Sequence, residues 1–168
     1  MRNCMKRALL LASALLAGCQ QAGRSPEATA QAFFRSVQTL DLPTAAGHLH
    51  SGESVEAIDS FVNGDEDVRT IRKALWERME YTVGKRQAGR QGTTLVPVRV
   101  KTVDMTTVAR NIITQQNGGT MFILNQITDP TAPMREVTVG LQVSEEAGKW
   151  KIFSSPDLNA ALLGLDLL

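Results

Sequence analysis

Cysteine is scarce in this chain of 168 residues, which contains only Cys4 and Cys19. Cys4 is the only cysteine with which Cys19 could form a disulfide. It lies in the positively charged N-terminal segment, residues 1–7, which we expect to be removed. We therefore expect no structural disulfide. Beyond residue 19 the chain has no thiol, which suits an oxidising compartment outside the cytoplasm.

A strong excess of charge of either sign is also absent, since the chain has 18 Lys and Arg residues and 17 Asp and Glu residues. Residues 1–18 hold three of the cations and no acid, so the rest of the chain has a formal net charge of −2. A protein that binds nucleic acid needs a basic face to neutralise phosphates. We therefore expect no nucleic-acid partner.

The apolar run in residues 8–18 is too short for a permanent membrane span, because it has 11 residues and a spanning helix needs about 20. A positively charged head precedes this run, and the small residues Ala17 and Gly18 end it. This layout is typical of an export signal that is removed after translocation.

A specific motif closes the signal: residues 16–19, Leu-Ala-Gly-Cys, match the lipobox of bacterial lipoproteins at all four positions. Residues 1–18 thus resemble a bacterial lipoprotein signal peptide. The resemblance implies that Cys19 receives a thioether-linked diacylglycerol, is cleaved from Gly18 and is acylated on its new amino group. Cys19 is accordingly the predicted lipid-attachment residue.

A short polar segment follows the predicted anchor. We expect residues 19–26 to form a lipidated tether that reaches about 23 Å when fully extended. Gln20 stands where an Asp would resemble an inner-membrane retention signal. The resemblance therefore favours the outer membrane over the inner one, with the body facing the periplasm.

The first half of the body has helical spacing of its apolar residues. Ser25, Pro26 and Glu27 are typical of a helix start, because they supply a cap, a preset φ angle and a charge that suits the helix dipole. The spacing predicts helices over residues 26–40, 43–52, 55–62 and 65–79.

The second half changes to the alternation of β-strands. Residues 80–87 and 93–103 predict one hairpin, and residues 135–155 predict another. Pro97 cannot donate to a strand ladder, so we expect its strand to be at an edge or bulged. Between the hairpins, residues 104–116 predict a helix with Asp104 as its N-cap.

The order of helices, hairpin, helix and hairpin predicts an α+β fold in which N-terminal helices pack on the concave face of a curved antiparallel sheet. Residues 25–53 and 149–155 resemble the opening and the last strand of small bacterial lipoproteins with a nuclear-transport-factor-2-like (cystatin-like) domain. The resemblance implies one cone-shaped domain over residues 27–168 that contains a pocket. Domains of this kind often form dimers.

Residues with reactive side chains are few, and most have an ordinary structural explanation. We expect Tyr81 to be a core or rim aromatic rather than a catalytic donor, and Asp104 to be a helix cap. His48 and His50, even with Glu53 nearby, fall short of the four ligands that zinc normally takes. We therefore interpret both histidines as solvated or capping residues.

Two further segments resemble ligand sites only superficially. Gly118 and Gly119 lack the lysine and the spacing of a phosphate-binding loop. The acids of residues 65–67 are most simply the first turn of a helix. No Ser-His-Asp pattern or acid pair stands out, so we predict no catalytic, cofactor-binding or metal-binding residue.

Two apolar segments leave their role open. Residues 121–124, Met-Phe-Ile-Leu, and the tail over residues 162–168 could each be buried core. Each could instead be an exposed patch that contacts a partner or lines the mouth of the cone.

The predicted function is a membrane-anchored, non-catalytic binding or assembly module of the cell envelope, with an envelope protein or a second copy as partner. The fold by itself decides no activity, because related cones include isomerases and dehydratases. A small-ligand carrier or an isomerase-like or dehydratase-like enzyme using the cone pocket is the alternative. A structural subunit of an envelope complex, joined through an apolar segment, is a third hypothesis.

Overall fold

A computed structural model describes residues 25–115 and 119–166. Within these residues there are seven helices and five strands. The helices are α1 (Pro26–Gln38), α2 (Leu42–Gly47), α3 (Glu56–Asn63), α4 (Glu66–Glu77), α5 (Met105–Gln115), α6 (Thr120–Thr128) and α7 (Pro156–Leu163). The strands are β1 (Glu80–Val83), β2 (Gln87–Ala88), β3 (Thr94–Val103), β4 (Met134–Glu146) and β5 (Lys149–Ile152).

The strands form one antiparallel sheet in the order β1-β3-β4-β5, and β2 also pairs with β3. The sheet is strongly curled into a half-barrel on which the helices pack. This arrangement confirms the predicted α+β class and is compatible with a nuclear-transport-factor-2-like cone.

Polar residues placed just before the helices explain where several of them begin. The side chains of Ser25, Asp41, Asp65 and Ser155 each accept a hydrogen bond from the backbone N–H three residues later. Each bond satisfies one of the N–H groups that a helix start leaves without an intrahelical partner. The acids of residues 65–67 are thus the cap and first turn of α4, as predicted.

The core lies between the helices and one face of the sheet, which we call the covered face. Cross-strand pairs such as Val98–Val139 and Val96–Leu141 place fully or almost fully buried side chains on this face. Their neighbours along each strand alternate to the opposite, open face, where Arg99 and Glu136 lie largely in solvent.

The sequence predicts Pro97 at an edge or at a bulge, and the edge is wrong because β3 is a central strand of the sheet. The bulge is confirmed: between the pairs Val83–Val98 and Gln87–Leu95, the three residues 84–86 stand opposite only Val96 and Pro97. The Pro97 carbonyl accepts a hydrogen bond from the Gly84 N–H, so the side of Pro97 that lacks an N–H faces the segment between β1 and β2. Residues 84–86 of this segment belong to neither strand, since β1 ends at residue 83 and β2 begins at residue 87. A Cβ at Gly84 would lie 2.9 Å from the proline ring, so glycine allows this close approach.

The end of helix α2 differs from the sequence prediction. Helix α2 ends at Gly47 rather than near residue 52. The His50 N–H donates to the Ile152 carbonyl, and the Ile152 N–H donates to the His48 carbonyl. Pairing with the edge strand β5 thus replaces the last predicted turn of helix. Helix α7 (Pro156–Leu163) includes the first two residues of the C-terminal apolar tail, which the sequence analysis left without an assigned element.

The segment over residues 121–124 belongs to helix α6 and is neither fully buried nor fully exposed. The side chain of Met121 is 69% exposed, whereas the other three residues are half-buried. The buried residue of this helix is Ile127, one turn further on. In the tail, Leu162 is fully buried and belongs to the core, whereas Leu165 is 40% exposed.

Candidate functional site

The covered face of the sheet is filled by apolar side chains in the described part of the chain. Phe33, Phe34 and Trp76 are fully buried there, together with the inward-facing valines of β3 and β4. Phe33 and Phe34 meet edge-to-face with ring centroids 5.4 Å apart. The described residues therefore form a packed core at the position where a ligand pocket of a cone would lie.

Tyr81 stands at the margin of this core, as predicted. Its ring stacks on Phe34 with centroids 5.3 Å apart. Its hydroxyl accepts a hydrogen bond of 3.2 Å from the Gln31 side-chain amide on α1. Burial raises the pKa of Tyr81 above its ordinary value, with Arg35 acting in the opposite direction.

Asp104 is a helix cap, as predicted. Its Oδ1 accepts the Thr107 N–H at 3.0 Å, and its Oδ2 accepts the Thr107 hydroxyl at 2.7 Å. Partial burial acts to raise the pKa of Asp104, but the hydrogen bonds from Thr107 and the nearby charge of Arg135 outweigh burial and lower it. Both oxygens of the Asp104 carboxylate thus accept hydrogen bonds from the first turn of α5.

His50 is the centre of a polar cluster on the open face of the sheet. Its Nε2 lies 2.7 Å from the Ser144 Oγ, and its Nδ1 lies 3.7 Å from the Glu146 Oε2. The imidazole stacks on Phe153 with centroids 4.0 Å apart, and its side chain is only 15% exposed. The prediction of a solvated or capping residue is therefore wrong for His50.

His48 and Glu53, which are close to His50 in the sequence, bind to other groups. His48 is the C-cap residue of α2, and burial, assisted by Lys151, lowers the pKa of its imidazole. The Glu53 carboxylate accepts hydrogen bonds from the N–H and the hydroxyl of Ser154. Across residues 25–115 and 119–166, no three His, Cys, Asp or Glu side chains are grouped as metal ligands.

The cluster of His50, Ser144 and Glu146 has the connectivity of a serine nucleophile, its base and an orienting carboxylate. The Ser144–His50 distance is within the range for such a pair, while the His50–Glu146 separation exceeds a direct hydrogen bond. Glu146 Oε2 also accepts the Ser51 N–H at 3.3 Å. The cluster therefore joins the loop after α2 to strand β4 and can exchange a proton between Ser144 and His50.

Sequence reasoning missed this cluster. Ser144 and Glu146 are two residues apart on a strand, so the alternation of β4 already places them on one face. His50 is 94 residues away from Ser144 and lies on a loop. The position of His50 follows from the pairing of its backbone with β5. The sequence around residue 50 contains no local signal for that pairing.

A cleft of about 670 Å³ opens beside the cluster, and we call it the open-face cleft. Phe153 lines this cleft, and its ring also stacks on His50. Gln142, Thr93, Leu95 and Arg90 also line the cleft, which thus combines apolar walls with amide, hydroxyl and guanidinium groups. The Thr93 hydroxyl lies 2.5 Å from the Gln142 side-chain oxygen and 2.7 Å from the Arg90 carbonyl, so these three residues are in polar contact at the cleft.

A second groove, of about 650 Å³, lies where the starts of α3 and α7 meet. Asn159 lines it and is already used in packing, because its Oδ1 accepts the Ala57 N–H at 2.8 Å and its Nδ2 donates to Glu56 at 3.3 Å. Asn159 thus joins the start of α3 to α7.

Two sequence predictions lie outside the described residues. Cys19, the predicted lipid-attachment residue, precedes residue 25, and Gly118 falls in the gap between residues 115 and 119. Gly119 is described and is the N-cap residue of α6.

Comparison with known proteins adds no assignment: no family model, no curated protein and no solved structure matches the chain.

Proposed function

We propose that this chain is a lipid-anchored module of the cell envelope that binds a partner or ligand in the open-face cleft. In this proposal the body is a nuclear-transport-factor-2-like domain held by Cys19 to the periplasmic side of a membrane, with the outer membrane favoured. The partner is an envelope protein, a second copy of the chain or a small ligand.

One observation carries the choice of site. The covered face, where a cone pocket would lie, is packed with fully buried aromatic and branched side chains in the described residues. The open-face cleft is accessible and has the mixture of apolar walls and a few polar groups that is usual in binding sites. Binding at the outer surface therefore fits the geometry better than binding inside the cone.

The anchor is proposed from the sequence, through the lipobox match at Cys19. None of the described helices has both the length and the apolar character that crossing a bilayer requires.

Filling the cleft should test the proposed binding site. Ala88 is exposed on β2 at the cleft, and Ala88→Trp would place an indole in it. Thr138→Trp is the matched control, because Thr138 is exposed on the open face of β4 but does not line the cleft. We expect a quantitative pull-down from membranes to recover the same specific partner with wild type and Thr138→Trp, and at least about tenfold less with Ala88→Trp.

Equal recovery with all three proteins would contradict binding in the cleft. A partner that is lost with Thr138→Trp but kept with Ala88→Trp would place the interaction on the open face of β4 instead.

Acyl transfer is the second candidate, and the 2.7 Å contact between Ser144 and His50 favours it. In this reaction the Ser144 Oγ attacks an ester carbonyl, and His50 takes the serine proton and passes it to the leaving alcohol. Water then hydrolyses the acyl-serine ester, with His50 again acting as base.

A fluorophosphonate probe tests this second candidate. We expect labelling of wild type and of Ser60→Ala, because the Ser60 hydroxyl donates to the Ala57 carbonyl in α3 and does not contact the cluster. We expect loss of labelling with Ser144→Ala and His50→Ala. Unlabelled wild type, or labelling that survives Ser144→Ala, would rule out Ser144 as a nucleophile.

A further inference from the structure

The end of the body that receives the tether also carries a local excess of positive charge. The segment over residues 84–93 contains Lys85, Arg86 and Arg90 and no acid, although the chain beyond residue 18 has a formal net charge of −2. All three side chains are exposed. We call these three residues the basic edge.

Contacts between α1 and the first hairpin show that both point to the same end of the molecule. Gln31 contacts Tyr81, while Glu27 accepts the Arg86 N–H at 3.2 Å. Moving towards the start of α1 therefore corresponds to moving along the hairpin towards its tip at residues 90–92. Ser25, where the tether joins the body, lies at this end.

The charge at this end is not cancelled by its neighbours in the described structure. The Glu27 carboxylate lies 3.8 Å from the Arg86 guanidinium and offsets one of the three cations. The turn between β4 and β5, over residues 145–151, projects from the same end, but its two glutamates and two lysines cancel in formal charge. Arg24 adds a further cation within the tether itself.

Chain length makes this end the one nearest the anchor. A tether over residues 19–26 reaches at most about 23 Å. The ten residues of β3 span about 33 Å, so the far end of the sheet lies beyond that distance from the tether exit. The surface closest to the lipid headgroups is thus the one that presents the basic edge.

We propose that the basic edge docks on anionic phospholipid headgroups of the membrane that holds the lipid anchor, which orients the body with the hairpin tip at the membrane surface. Each Lys or Arg close to an anionic surface strengthens attraction to it, and salt screens this attraction over about 10 Å. This inference rests on the proposed anchor at Cys19. Orientation at the membrane would also bring the open-face cleft, which includes Arg90, close to the headgroups.

The test uses the full lipidated protein in vesicles. Gln87→Cys and Thr128→Cys each introduce a thiol for a fluorophore, at the hairpin and at the end of α6 respectively; both positions are exposed. The sulfur of Cys19 is alkylated in the anchored protein and does not react. A quencher attached to lipid headgroups reports which label lies near the membrane.

In vesicles with about 30 mol% phosphatidylglycerol at low salt, we expect quenching at residue 87 to exceed that at residue 128 about threefold. The ratio should fall to about one in phosphatidylcholine alone, in 1 M salt, and with Lys85→Gln/Arg86→Gln/Arg90→Gln. Arg69→Gln/Lys73→Gln/Arg110→Gln removes three cations elsewhere and should keep the wild-type ratio.

Two failures are distinguishable. Protein that does not float with neutral vesicles contradicts the lipid anchor and this inference with it. Protein that floats but shows equal quenching at both positions, or the same ratio without anionic lipid, overturns this inference alone. Basic-edge variants that lose an acidic protein partner while the quenching ratio is unchanged would also overturn it.

Discussion

Replacing Trp76 with alanine is expected to lower the free energy of unfolding by about 3–5 kcal/mol. The Trp76 side chain is fully buried, and its ring stacks on Phe61 with centroids 5.3 Å apart. Its indole N–H donates to the Leu162 carbonyl at 3.0 Å, which ties α4 to α7. Truncation leaves a cavity and a buried carbonyl without its partner, and both effects are unfavourable.

Urea titration followed by circular dichroism measures this change. Trp150→Ala is the matched control, because Trp150 is only half-buried on the edge strand β5, and we expect a loss below about 2 kcal/mol. An effect of Trp76→Ala no larger than that of Trp150→Ala would mean that the packing around α4 and α7 is not as described.

Replacing Cys19 with serine is expected to abolish lipid attachment completely. The serine hydroxyl cannot form the thioether that the lipoprotein pathway builds on sulfur. Two or more acyl chains hold a protein on a membrane, since each buried methylene contributes about 0.8 kcal/mol, whereas a body without them has no such anchor. Metabolic labelling with a fatty-acid analogue, followed by membrane fractionation, measures both consequences.

Cys4→Ser is the control that the chain itself provides. Cys4 lies in the predicted signal peptide, so its replacement should leave labelling and membrane retention at the wild-type level. Equal labelling of Cys19→Ser and wild type, or loss of labelling with Cys4→Ser, would contradict the lipid assignment.

Local patterns predicted most of the elements, because helix starts and strand alternation depend on residues close together in the chain. The cap at Asp104 and the helix after Ser25 follow from side chains that bond to backbone groups three residues away. The β4–β5 hairpin follows from strict alternation and a short turn. The position of Tyr81 near the start of a strand predicts a core or rim aromatic for a similar reason, since one face of that strand points inward.

Long-range contacts decided what the sequence could not. Helix α2 ends at Gly47, before the predicted residue 52, because residues 48–50 pair with β5, a strand about 100 positions later. Pro97 is tolerated in a central strand because the neighbouring segment, residues 84–86, is bulged opposite its missing N–H, whereas the sequence left an edge and a bulge as equal alternatives.

By itself the sequence determined the α+β class and the helix caps, and it singled out Cys19 as the predicted anchor, because each depends on neighbours along the chain. The tertiary structure decided that aromatic side chains fill the covered face, that His50 meets Ser144, and that the basic edge shares an end with the tether. These features join residues 50 to 100 positions apart, so they exist only once the sheet has curled and the helices have packed on it.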